Sequence, residues 1–219
     1  MPMKTNLLLL ITLVACTIPP PNPILQLEAK LEKENPFHFN YDPIPLDCAQ
    51  RDSLFALLYQ RDQDVRNQGG DMIAVDERNF DLLISYIEQC GWPRFTTKFD
   101  SIGSFHEYKI RSAPFLVLQH SFKEAMANYY FDLKTTVDEG EMEASDLALY
   151  QDRLLLYFGL PQVYGTQIKH SKERIYLYRL WSPEGVNERR KAVQLIPIED
   201  YLGNYGLDFE EEIKSQKTK

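Results

Sequence analysis

Apolar positions recur at helical spacing through most of the chain. Over residues 47–67, Leu54, Leu57, Leu58 and Val65 fall near a 3.6-residue period with charges on the opposite face, and Gly69-Gly70 closes the segment. A second helix is predicted over residues 76–90, with Phe80, Leu83, Ile84 and Ile87 on one stripe, ended by Gly91 and Trp92-Pro93. Residues 94–111 read as irregular, with a turn at Gly103. Ser112 is placed as the cap of a third helix that holds Pro114 in its first turn and ends near Gly140. A fourth covers residues 144–158, closed by Gly159 and Pro161. Ahead of these, residues 24–34 are charged and helix-compatible, and residues 35–45 form a proline-punctuated loop. In the last third, residues 175–181 (IYLYRLW) read as a short strand, 186–194 as helix and 210–219 as a polar tail. The pattern predicts a mainly α, compact multi-helix domain with a small β or irregular element in its C-terminal third.

The front of the chain has a different grammar. Lys4 precedes an apolar run through Leu10 and Ile11 to Leu13-Val14-Ala15, about half the length a bilayer-spanning helix needs. A basic start, a short apolar run and small residues before a cut are the parts of a secretory signal. Leu13-Val14-Ala15-Cys16 resembles the bacterial lipobox, in which the cysteine is lipidated (palmitate among its acyl chains) and becomes the first mature residue. Residues 17–23 (TIPPPNP) favour extended polyproline geometry and serve as a semi-rigid spacer. The expected division is a signal peptide over 1–15, a lipidated and Pro-rich tether over 16–45, a helical domain over 46–205 and a polar tail over 206–219. The expected place is a bacterial cell envelope, lipid-anchored to a membrane and facing the periplasm or exterior.

Composition narrows the remaining choices. With 219 residues, 24 Lys and Arg against 32 Asp and Glu, the net charge is −8, and loss of Lys4 with the signal makes it more negative. Such a surface excludes phosphate-backbone binding as a main task, since that rests on clustered cations. Three cysteines are too few for a disulfide scaffold and match no zinc spacing. With Cys16 consumed by lipid, Cys48 and Cys90 remain. They form either one disulfide in an oxidising compartment or two separate buried thiols.

Three features carry candidate chemistry. In the apolar fourth helix, Asp152 and Arg153 are adjacent ionisable groups that point about 100° apart, so each needs a partner elsewhere. They join helices in a buried ion-pair network or line a cleft. Gln119-His120 continues the apolar run 115–118, where His120 is a general acid/base or a satisfied core histidine. No second histidine at helical spacing supports a metal site, and no cofactor motif occurs. The segment 161–167 adds Gln162, Tyr164, Thr166 and Gln167, neutral groups for an uncharged ligand or for the loop's own backbone.

Taken in order, these residues resemble a bacterial domain-of-unknown-function family, numbered 6624. The elements are Asp62-Gln63 with Arg66, Asp76 with Asn79, Gly91-Trp92-Pro93 with Gly103, Gln119-His120, Asp152-Arg153, Gln162 with 164–167 (YGTQ), and Asn187 with Arg189-Arg190. The family often carries acidic residues after the Gln-His pair, where this chain has Phe122 and Lys123. The resemblance implies a helical domain whose polar motifs converge, and it implies no reaction. Two functions remain open: a tethered domain that binds a partner or small polar ligand through Gln119, Gln162, Tyr164, Thr166 and Gln167, or a hydrolase or transferase. The second would use His120 as general acid/base, Asp152 as its orienter and Arg153 or the Gln162–Gln167 loop to hold an anionic or polar group.

Overall fold

A computed structural model describes residues 21–217, and the signal, the lipobox and Cys16 lie outside them. The chain is mainly α. Helix α1 (Pro23–Glu34) is capped by the Asn22 side chain, which accepts from the Ile24 N–H, and buries Leu27 and Leu31 against α7. Helices α2 (Arg51–Gln68) and α3 (Met72–Cys90) end at Gly69 and Gly91, which take the positive φ that these turns require. Asp71 caps α3 by accepting from the Ala74 N–H. Cys48 and Cys90 are joined in a disulfide, which ties a 3₁₀ turn before α2 to the end of α3.

The expected third helix differs in both its start and its continuity. Helix α4 (Phe105–Gln119) begins eight residues earlier, because Ser104 Oγ accepts from the Glu107 N–H, the first half of a Ser-x-x-Glu capping box. Pro114 therefore lies inside the helix, where it leaves one carbonyl without its N–H partner. The chain breaks at residues 120–122 and again at Tyr129, giving α5 (Lys123–Asn128) and α6 (Tyr130–Asp138). Helix α7 (Ala144–Tyr157) is buried on most sides, as its apolar composition predicts. These helices share one core around Phe55, Leu83, Leu118, Met126, Tyr130 and Leu154.

The last third forms a smaller lobe. Strands β1 (Ile168–His170) and β2 (Ile175–Leu177) pair antiparallel, Ile168 opposite Leu177. Helices α8 (Val186–Ala192), α9 (Ile198–Gly203) and α10 (Phe209–Lys217) cover them over a second core of Leu177, Leu180, Val186, Ile198, Leu202 and Ile213. Helix α10 lies in the stretch expected as a polar tail. It is docked by Glu212, which accepts from the Leu177 N–H, and Gln216, which accepts from the Leu180 N–H. With α1 and α10 packed, the folded part extends beyond residues 46–205. Among the described residues, no helix is long and apolar enough to cross a membrane.

Candidate functional site

Helix α2 presents Asp62 on the same stripe as Phe55, Leu58 and Val65, so the fold carries a carboxylate into the core side of the helix at 1% exposure. Four residues on, one turn above it, Arg66 turns back: its Nη1 lies 3.0 Å from Asp62 Oδ1, and its Nη2 meets both oxygens of Asp76 at 2.9 and 3.0 Å. Asp76 comes from the first turns of α3. His120 comes from the C-terminal end of α4, where the break at residues 120–122 turns its ring towards α2. Its Nδ1 is 2.7 Å from Asp62 Oδ1. The Gln63 amide donates to the other Asp62 oxygen at 2.8 Å.

The electrostatics of this cluster define the histidine tautomer. Burial pushes the Asp62 carboxyl up, but the hydrogen bond and charge of His120, the Arg66 charge and the Gln63 amide outweigh it and hold the group below its ordinary value. An ionised carboxylate only accepts, so the proton of the shared bond sits on His120 Nδ1. In the neutral imidazole, Nε2 is then an acceptor, and no protein group among the described residues bonds to it.

His120 also lines an open cleft of about 580 Å³. It is lined by Ile73, Asp76, Glu77, Phe80 and Asp81 of α3 and by Asn40, Tyr41 and Asp42. Ser121, Phe122 and Tyr157 complete it. The segment holding Asn40–Asp42 is a strap strung along α3 by one helical face: Asp81, Ser85 and Gln89 accept from the N–H groups of Asp42, Ile44 and Leu46. Asn128 holds the other end through both polar atoms of Phe37.

Asp62, Asp76 and His120 each bring one ligand atom within 4.8 Å of the others, a spacing that a metal ion uses. The guanidinium of Arg66 already stands against both carboxylates and supplies the positive charge there. The trio as arranged is an ion-pair network, and it does not fit a metal without displacing Arg66.

The other expected residues sit elsewhere. Asp152, fully buried on α7, accepts from the backbone N–H groups of Val163 (2.6 Å), Tyr164 (3.0 Å) and Thr166 (2.9 Å) and from the Thr166 hydroxyl (3.0 Å). Burial pushes its carboxyl above the ordinary value against the pull of these donors. The expectation that Asp152 orients His120 is therefore corrected: Asp62 does so, because Asp152 is committed to the 162–167 loop. That loop also closes on itself. Gln162 Nε2 donates to the carbonyls of Gln167 and Tyr178, its Oε1 accepts from the Gln167 N–H, and Tyr201 donates to the Thr166 carbonyl. Tyr164 contributes its N–H to Asp152 and its carbonyl to Arg190. Gly165 (φ +71°) is required here, since a Cβ would lie 2.8 Å from Ile198 Cδ1.

Arg153 joins the two regions: it donates to the Gln119 carbonyl at the end of α4 and to Gln167 Oε1. It holds the helix end that carries His120, rather than a ligand. The Gln119 side chain is buried, and its Oε1 finds no partner among the described residues. Of the expected site residues, His120 alone lines the cleft. The missed members are Asp62, Arg66 and Asp76. Their signal was present in sequence: a carboxylate on the apolar stripe of a helix, with an arginine four residues later.

Residues 61–210 match the model of a family of unknown function, DUF6624, and the chain belongs to that family. No curated protein and no solved structure matches the chain.

Proposed function

We propose, for a chain whose family has no assigned activity, an envelope lipoprotein whose helical domain takes a small ligand into the His120 cleft. The lipoprotein part rests on Leu13-Val14-Ala15-Cys16 behind its short apolar run. One observation carries the ligand part. A polar cluster drawn from three helices ends at an open cleft, with the His120 ring 19% exposed and its Nε2 unclaimed by the protein. The cleft volume falls within the range used by small-molecule sites, roughly 300–1,000 Å³.

Two experiments test the reading. Cys16→Ala should abolish palmitate labelling and move the protein from the membrane to the soluble fraction; unchanged labelling and attachment overturn the tether. Ligand-observed NMR on the full-length protein in detergent, with neutral, cationic and anionic fragments, should find binders that His120→Ala and Tyr157→Ala weaken. Binders unaffected by both variants, or none, overturn the cleft as a ligand site.

A second reading has a specific observation in its favour. Asp62 on Nδ1 with Nε2 open is the arrangement of an acid–base pair. The hydroxyl of Ser121, the next residue, donates to the Leu118 carbonyl, so the pair would act on water or on the ligand itself. Hydrolysis of a chromogenic ester faster by the wild type than by His120→Ala supports catalysis, and equal rates reject it.

A further inference from the structure

We propose that the ligand of this cleft is an organic cation, a primary or secondary ammonium carried on an apolar or aromatic body. The inference rests on the reading of the cleft as a ligand site and adds the chemistry of the occupant.

Three independent features of the walls converge on that class. The first is charge. Four carboxylates line the cleft, Asp42, Asp76, Glu77 and Asp81, and no lysine or arginine does. The chain as a whole carries 24 bases to 32 acids, so the cleft is more one-sided than the chain. Asp76 is answered by Arg66 from behind, whereas Asp42, Glu77 and Asp81 are in no ion pair among the described residues. The strap uses one Asp81 oxygen as an acceptor for the Asp42 N–H, which leaves its charge in place. Four carboxylates and no cation around one open cleft give it a negative potential, although Asp42 and Glu77 are themselves exposed.

The second feature is the aromatic lining. Phe122 and Tyr157 are 41% and 47% exposed, and with Tyr41 and Phe80 they give the cleft an aromatic lining. Ring faces attract cations that have been partly stripped of water, and they pack apolar bodies equally well. An anionic ligand would meet repulsion from the carboxylates and from the ring faces alike.

The third is the open ring nitrogen of His120. With Nδ1–H directed at Asp62, Nε2 is the ring nitrogen left open, and in the neutral ring it offers a lone pair. A lone pair in the wall of an acidic cleft calls for a donor, and an ammonium N–H is a donor that also answers the carboxylates. The same lone pair would face the oxygens of a carboxylate or phosphate unfavourably. A ligand spanning both needs places its ammonium between His120 and the α3 acids, with its apolar part towards Phe122 and Tyr157.

The experiment measures calorimetric affinities of the full-length protein in detergent for three matched probes: phenethylammonium, phenethyl alcohol and 3-phenylpropanoate. The ammonium should bind about tenfold more tightly than the alcohol, and the carboxylate more weakly than either. Glu77→Gln and Asp81→Asn keep shape and hydrogen-bond acceptors. Each should weaken the ammonium about threefold to fivefold and leave the alcohol unchanged. His120→Ala should weaken the ammonium more than the alcohol. Equal affinities for ammonium and alcohol, or tighter binding of the carboxylate, overturn the cationic assignment while the cleft stands as a ligand site. Absence of binding by all three, in a protein with a cooperative melting transition, overturns both.

Discussion

His120 and Asp62 meet at 2.7 Å across 58 residues of chain, and Asp62 is tied to Arg66 at 3.0 Å on its own helix. The pair makes one carboxylate serve both the packing of α2 against α4 and the orientation of the imidazole at the cleft.

Asp62→Asn should separate these roles by their pH dependence. The folded carboxyl lies below its ordinary value near 3.8, so its contribution to stability is complete above that pH and disappears as pH falls through the lower, folded value. The variant should lose about 1–3 kcal/mol at pH 7, discounted for the partial exposure of Arg66 and His120, and the gap should close in acid. Urea denaturation at pH 7 and at progressively lower pH below 4 measures it. A gap that stays constant into acid would refute the assignment of that charge.

Asp152→Asn should act on stability without reaching the dyad. An amide in place of the carboxylate turns an NH2 group towards N–H donors and leaves at least one unmet, costing about 1–3 kcal/mol. The ring-nitrogen NMR signals of His120 should stay where they are in the wild type, whereas Asp62→Asn should move them. A shift caused by Asp152→Asn of equal size would restore Asp152 as the orienter.

Gly165→Ala places a Cβ 2.8 Å from Ile198 Cδ1 on backbone at φ +71°. Strain and overpacking together predict a loss of about 2–3 kcal/mol. Adding Ile198→Val removes the clashing methyl, so the double variant should be less destabilised than the sum of the two single changes. Additive losses in thermal unfolding would show that the contact is not the cause.

Cys48→Ser with Cys90→Ser, or reduction in place, should cost about 3–4 kcal/mol for a crosslink that encloses a 42-residue separation. The local effect matters more for the cleft. The disulfide anchors the chain just beyond the strap, so the Ile44 and Leu46 amides, held by Ser85 and Gln89, should exchange hydrogen faster once it is broken. Unchanged exchange at those two amides would show that the α3 side chains hold the strap unaided.

The chain's own pattern determined the mainly α class, the α7 helix and the need of its Asp152 for a partner, and the ends of α2 and α3, because apolar periodicity and glycine turns act over a few residues. Its order of polar motifs also placed it in a family, through Asp62, Arg66, Asp76 and His120 among others. The pairing was not legible there. Asp152 and His120 both needed partners, and local spacing does not choose between carboxylates dozens of residues away. Tertiary structure decided it: the break after α4 turned His120 towards α2, and the loop after α7 folded its N–H groups onto Asp152. The cleft was likewise beyond sequence, since its walls join a strap at residues 40–42 to α3 and to Tyr157 at the end of α7. Burial sets the demand for a partner residue by residue, but only the packed chain determines which partner arrives.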